Sequence, residues 1–189
     1  MKMSSVVDFI WSRFVYPRQF KYYGGGSFIK SPLRIDGARN ISIGQNVCVN
    51  KHTWLACLPL TGHKNPHLKI SDGCVIGNFN HIYATQGIVL EDYVLTADKV
   101  YISDNGHGYE DIDAPVISQP VKQLGTIRIG TGSWLGENVC VVGASVGKHC
   151  VIGANSVVTK DIPDYCVAVG APAHVVKRYD FEKKEWVKV

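Results

Sequence analysis

Between residues 70 and 158 an aliphatic side chain returns at nearly every sixth position. Ile70, Ile76 and Ile82 form one series, and Leu90, Thr96 and Ile102 resume it after a two-residue slip. Ile129, Leu135 and Val141 take it up again, and Val146, Ile152 and Val158 follow after a one-residue slip. Glycine or an acid often follows the anchor, as in Ile76-Gly77, Leu90-Glu91 and Ile152-Gly153. A second small or aliphatic residue often stands four on, at Cys74, Val94, Val100, Ser133, Val139, Cys150 and Ser156. A strand repeats every two residues and a helix every 3.6, so sustained period six is neither. It signals a parallel β-helix, in which short straight runs meet at tight corners and every sixth residue fills one interior column. With three units to a coil, the repeat supports roughly five coils stacked about 4.8 Å apart, a prism about 25 Å tall.

A chain of 189 residues, 46% hydrophobic and 19% charged, is long enough for one domain with a real core. Nineteen glycines without a triplet repeat fit corners that need positive φ. The net charge of +4 suits a small anionic ligand, and no dense basic stripe marks the chain for nucleic acid. Of the six cysteines, Cys48, Cys74, Cys140 and Cys150 fall inside six-residue units, where a small apolar side chain packs well. Cys57 and Cys166 lie at the edges of the repeat. No C-x-x-C pair and no leader sequence are visible, so the reading is free thiols and a cytoplasmic protein.

Residues 1–32 read as a helix and lead-in, 33–162 as the solenoid, and 163–189 as a last strand and a polar, helical tail. The helix is expected over 4–15, capped by Ser4 or Ser5, with Val6, Val7, Ile10 and Phe14 on one side and Pro17 ending it. Its apolar side is expected to pack on the end of the solenoid or on a neighbouring subunit. The mix of Trp11, Arg13, Tyr16, Arg18 and Lys21 also fits a membrane surface. No apolar run is long enough to span a bilayer. Gly24-Gly25-Gly26 reads as a flexible joint.

Two stretches interrupt the repeat, 57–67 and 103–125. Long excursions from a regular scaffold are usually functional. The second holds His107 between Gly106 and Gly108, followed by Tyr109-Glu110-Asp111. An imidazole near a rim, with an unperturbed pKa of about 6.5, suits a general base, although a solvated loop histidine is the plainer alternative. Tyr109 and Glu110 are candidate acceptor contacts, and Glu110 or Asp111 is placed to orient His107. His81 is a reserve base. His63 and His67 share a loop, where a four-residue spacing fixes no metal site, and no metal is expected. No cysteine has a histidine placed to activate it.

Several segments carry a resemblance: Asn78-Phe79-Asn80, Ile102 to His107, Ile129-Gly130 through Trp134-Leu135-Gly136, the run from Ile152 to Pro163, and Gly170-Ala171-Pro172-Ala173. Over roughly residues 33–178 the chain resembles the hexapeptide-repeat acyltransferases, specifically the CoA-dependent sugar O-acetyltransferases of the galactoside, maltose and surface-polysaccharide type. The resemblance implies an all-β, left-handed parallel β-helix and a homotrimer with active sites between subunits. Acetyl-CoA is the implied co-substrate and a saccharide or lipid-linked saccharide the implied acceptor. His107 falls where the family has its catalytic base, and Asn78, with Asn80 and His81 beside it, falls where the family meets the acceptor. Trp134, Gly136, Ala154, Thr159 and Lys160 fall on the coils where CoA lies. His174 stands where the family often has arginine, and Lys177 or Arg178 is the implied substitute. Asn105 stands where many relatives have a second histidine. The alternatives on the same scaffold are an N-acetyltransferase of a nucleotide-linked amino sugar, a metal protein resembling the γ-class carbonic anhydrases, and a non-catalytic trimeric scaffold.

Overall fold

Each six-residue unit has room for a short strand and a turn, and in the computed structural model, which describes residues 3–189, these strands sort onto three sheets. Face A holds Tyr22–Tyr23, Ile41–Ile43, His67–Ile70, Gly87–Leu90 and Ile127–Ile129. Face B begins with Phe28–Ile29, Cys48–Val49, Val75–Ile76 and Leu95–Thr96, and continues through Trp134–Leu135, Val151–Ile152 and Cys166–Gly170. Face C holds Arg34–Asp36, Trp54–Cys57, His81–Ala84, Tyr101–Ser103, Cys140–Val142 and Val157–Val158. The pairings within the coils are parallel, so the chain is a parallel β-helix. Face C has six strands, so the prism has six complete coils where the repeat alone gave five.

The anchors line up as the period demands. Ile43, Ile70, Leu90 and Ile129 are register partners up face A, and bridges carry the column on through Val146 to Ile162. Leu55, Ile82, Ile102, Val141 and Val158 do the same up face C. All of these except Ile162 are fully buried, and each such aliphatic contributes about 1.5–3 kcal/mol against exposure. The residues four on from the anchors, Cys74, Val94, Val100, Ser133, Val139, Cys150 and Ser156, are buried as well and fill the inside of the corners. Glycine follows an anchor because the next coil lies directly above it. A Cβ at Gly136 would come within 2.7 Å of the Ala154 nitrogen.

The first coils begin earlier than the lead-in assigned to residues 1–32. Tyr22–Tyr23 is already paired with face A and Phe28–Ile29 with face B. Gly24-Gly25-Gly26 is therefore a turn of the first coil and no flexible joint. The Gly24 N–H donates to the Ile43 carbonyl at 2.8 Å, the Gly25 carbonyl accepts from Asn46, and a side chain on Gly24 would collide with Gly44.

The N-terminal helix runs as Met3–Ile10, a π-helical stretch Trp11–Val15 and a last turn Tyr16–Gln19. Pro17 does not end it, because proline at the start of a helical turn loses no hydrogen bond. The expected cap at Ser4 or Ser5 falls on side chains outside those described. The buried positions are Asp8, Ser12, Tyr16 and Phe20, while Val6, Val7, Ile10 and Phe14 face outward, so the apolar side does not pack on the end of this chain's own solenoid. The reason lies in the edge strand Phe28–Ile29, whose backbone groups need partners. Ser12 Oγ accepts from the Ile29 N–H at 3.0 Å and donates to its carbonyl, and Asp8 accepts from the Ser31 N–H at 2.8 Å.

The far end closes with strands. The expected helical tail is a hairpin in which Ala173–Asp180 pairs antiparallel with Cys166–Gly170 and then with Glu185–Lys188. The run Val175-Val176 and the aromatic Tyr179 and Trp186 favour strand, and Asp180 Oδ1 holds the turn by accepting from the Glu182 and Lys183 N–H groups. No described helix is long and apolar enough to cross a membrane.

Candidate active site

The prism has three edges, where face A turns into B, B into C, and C into A. Every departure from period six falls at the C-to-A edge. Residues 58–66, Thr85-Gln86, residues 104–126 and Gly143-Ala144 all leave a face C strand and return to face A. The longest of these carries a two-stranded arm, Asn105–His107 against Val121–Gln123, with His107 opposite Val121 and Gly106 opposite Lys122.

Asp104 fastens the arm to the solenoid. Its side chain is fully buried. The Thr85 N–H donates to it at 2.8 Å, as do the N–H groups of Gln86 and Gly87, and Thr85 Oγ1 and Asn105 Nδ2 add donors at 3.0 Å. A carboxylate taken out of water needs this full set of partners. Gln123, from the returning strand, donates to the Asp104 and Gly125 carbonyls, and its Oε1 accepts from Thr61 and Thr85. Three separate loops of one edge thus meet at a single point below His107. Local pattern gives no sign of this hub; its one trace is an acid at the first position past the face C strand.

His107 itself is exposed at the end of its strand. Tyr109 and Glu110 share the arm, and Tyr109 is 73% exposed. Glu110 pairs with Lys122 across the arm and accepts from the Tyr109 N–H, and the Lys122 ammonium holds its carboxyl well below the usual carboxylate range. Asp111 accepts from the Asp113 N–H. These carboxylates stiffen the arm, and the orienting role expected of Glu110 or Asp111 toward His107 has no hydrogen bond behind it among the described contacts.

His81 stands on the strand of face C next to the one that feeds the arm, paired with Tyr101. Its ring stacks on Trp54 at 4.1 Å and 6°, with Tyr83 and Tyr101 alongside. Trp54 in turn donates Nε1 to Asp36 and carries the Arg34 guanidinium over its ring. Burial lowers the His81 pKa, and its Nε2 is buried without a described partner. Tyr83 pairs with Ser103 at the root of the arm, and the Tyr83 carbonyl accepts from Asn105 Nδ2.

Asn78 and Asn80 sit elsewhere, at the B-to-C edge. Asn78 Nδ2 donates to both Asp98 oxygens and its Oδ1 accepts from the Lys51 N–H. Asn80 is buried, donates to Thr96 Oγ1 and the Ala97 carbonyl, and accepts from the Val100 N–H at 2.6 Å. Both amides are spent on holding turns, and the structure does not bring them to His107.

The residues assigned to CoA form a band on the upper coils. Trp134 is 44% exposed on face B, where one outward column runs through Val151 and Val167 to Lys177. Gly136 and Ala154 are neighbours at the B-to-C edge. Thr159 and Lys160 line a cleft of about 610 Å³ with Gly170, Ala171, Pro172 and His174. The basic side chains of that cleft are therefore Lys160 and His174; Lys177 is on the neighbouring face.

All six cysteines are free thiols, and burial pushes Cys57 up to about 12 and Cys74 and Cys150 to about 11, which makes them poor nucleophiles. Among the described residues no three His, Cys, Asp or Glu side chains gather as metal ligands.

Fold and site together define a hexapeptide β-helix with its irregular structure confined to one edge. Residues 126–160 match the family model described as the hexapeptide repeat of succinyl-transferase. Over 174 residues, 88% of this chain and 86% of the relative, the sequence is 32% identical to the putative lipopolysaccharide biosynthesis O-acetyl transferase WbbJ of Escherichia coli. A stretch of 111 residues, 58% of this chain, is 42% identical to a probable acetyltransferase of Mycobacterium tuberculosis, of whose length it spans 37%. In backbone, 90% of the chain matches 89% of AntD, an N-acyltransferase from Bacillus cereus in complex with dTDP and 3-hydroxybutyryl-CoA, with a TM-score of 0.75 and 18% identity. The chain belongs to the hexapeptide-repeat acyltransferases.

Proposed function

We propose that this protein moves an acetyl group from acetyl-CoA to a sugar hydroxyl of a surface polysaccharide or its precursor. The observation that carries this is the match to WbbJ, named for lipopolysaccharide biosynthesis, along nearly the whole of both chains. The enzyme is an acyl-CoA-dependent acyltransferase, acetyl-CoA is its co-substrate, and the acceptor is a saccharide. We take the coils to be left-handed, as in the family, and the working unit to be a homotrimer. In that unit the His107 arm of one subunit faces the band of Trp134, Gly136, Ala154, Thr159 and Lys160 on its neighbour.

His107 acts as general base. Its imidazole takes the proton from the sugar hydroxyl as that oxygen attacks the thioester carbonyl. The tetrahedral intermediate, held by backbone N–H groups, collapses to the acetyl ester and expels the CoA sulfur, which takes the proton back from the imidazolium. No covalent enzyme intermediate is needed, which agrees with thiols held protonated by burial. On the acceptor side, His81 and Tyr83 fit better than Asn78 and Asn80, because they stand beside the root of the arm and the two amides are engaged in turns.

The likeness to AntD favours a second reading, transfer to the amine of a nucleotide-linked amino sugar. One experiment separates the readings. The protein is titrated with CoA and with acetyl-CoA while its unfolding is followed, and thiol release is then measured with glycosides and with nucleotide-linked amino sugars. Ligand at 100 times its Kd adds about 2.7 kcal/mol, a rise of about 5–10 °C for a chain of this size. The proposal expects that rise and thiol release with hydroxyl acceptors. Release with amino sugars alone would replace it by the second reading, and no rise at millimolar CoA would remove both.

A further inference from the structure

The N-terminal helix is amphipathic in an inverted sense. Its polar residues Asp8 and Ser12 face the protein and are spent on the edge strand. Phe9, Ile10, Trp11 and Phe14 are 42–56% exposed, and Val6 and Val7 continue the same surface. Packing within the chain therefore leaves this apolar stripe uncovered.

Charge says what covers it. Asp8 is the only acid between residues 6 and 21, and it points inward. Arg13 stands four residues after Phe9, Arg18 four after Phe14, and Lys21 follows, all exposed. The Arg18 guanidinium folds back on the Phe14 carbonyl at 2.6 Å, so apolar rings and cations share one surface. An apolar cleft of about 610 Å³, lined by Phe9, Arg13, Pro17 and Phe28 among others, opens between the helix and the first coil. Two copies meeting face to face through this surface would crowd Arg13, Arg18 and Lys21 of both together, with no outward acid from this stretch to pair them. A bilayer with anionic headgroups takes both features at once, the rings at the headgroup boundary and the guanidinium groups on the phosphates.

We propose that this helix docks the enzyme on an anionic membrane surface, lying along it and leaving the solenoid in water. The inference stands apart from the identity of the acceptor. It is tested by flotation of the full chain with vesicles of phosphatidylcholine alone and of phosphatidylcholine mixed with phosphatidylglycerol. The expected result is flotation with the mixed vesicles only, released by raising salt. Reversing the charges in Arg13→Glu/Arg18→Glu is expected to cut the bound fraction at least about tenfold. Phe9→Gln/Phe14→Gln is expected to cut it with an unchanged melting midpoint, since both rings are already exposed. The proposal is overturned if the wild-type chain does not float with either vesicle. It is equally overturned if the phenylalanine variant lowers the mass seen by light scattering while vesicle binding persists, which would make the stripe a contact between copies.

Discussion

Two edges of the prism obey one rule and the third obeys another. At the A-to-B edge Asn46, Tyr93, His149 and Tyr165 take positive φ, each on the coil-to-coil turn, and at the B-to-C edge His52, Phe79, Lys99, Asn138 and Asn155 do so. Turn length never changes there, and the residue at the bend adopts the left-handed conformation even where it is a tyrosine or a lysine, at about 1–2 kcal/mol apiece. The strain is tolerated because a turn of another length would shift every inward side chain above it out of its column. The C-to-A edge meets the same condition differently, by letting whole loops out between a face C strand and a face A strand. That edge alone accepts residues the stacking does not need, and the arm that carries His107 stands on it.

If that division of labour is right, damage at the edges should differ in kind. The largest effect is expected from His107→Ala, which should lower kcat by about 10²–10⁴ while the melting midpoint and CoA-induced shift stay put, as steady-state kinetics and thermal unfolding would show. Near-normal turnover would detach the chemistry from the arm. Next comes Asp104→Ala. It strands the N–H groups of Thr85, Gln86 and Gly87, each worth about 1–3 kcal/mol, so denaturant unfolding should show a loss of at least about 3 kcal/mol. A loss below about 1 kcal/mol would mean the arm does not depend on this hub. The smallest is a gain. Lys99→Asn puts a residue tolerant of positive φ at a strained bend and gives up only the exposed pair with Glu137. Stability should rise by up to about 1 kcal/mol with kcat unchanged, and a fall would show that bend strain is not what limits the regular edges.

The periodic part of this architecture is legible in the sequence because it repeats. Ile70, Ile76 and Ile82 announce three faces, and the slips after Ile82 and Val141 mark the irregular edge by spacing alone. What escapes is whatever depends on a partner a whole coil away. Asp104 reaches back to Thr85, and Ser12 forward to Ile29. Neither contact leaves a periodic trace, so an apolar stripe on the first helix reads as its packing face, although Asp8 and Ser12 hold that role. Asn78 shows the opposite case. A motif that matches by letters sits on a regular edge, where its amide serves the turn. The tail misleads because its charged Glu182, Lys183 and Lys184 mask the β-prone residues on either side.

The closing hairpin has a bearing on self-association. A stack of parallel strands ends in a row of backbone donors and acceptors that any further chain could extend, the geometry from which fibrils grow. On face B the last parallel strand, Cys166–Gly170, is answered by a strand running the other way, and the outermost strand presents Glu185 and Lys188 to solvent. A second molecule arriving end-on meets a hairpin whose outer strand, after two reversals, runs with the coils again but carries charge. That side of the solenoid is terminated against polymerisation by the charge on its outermost strand.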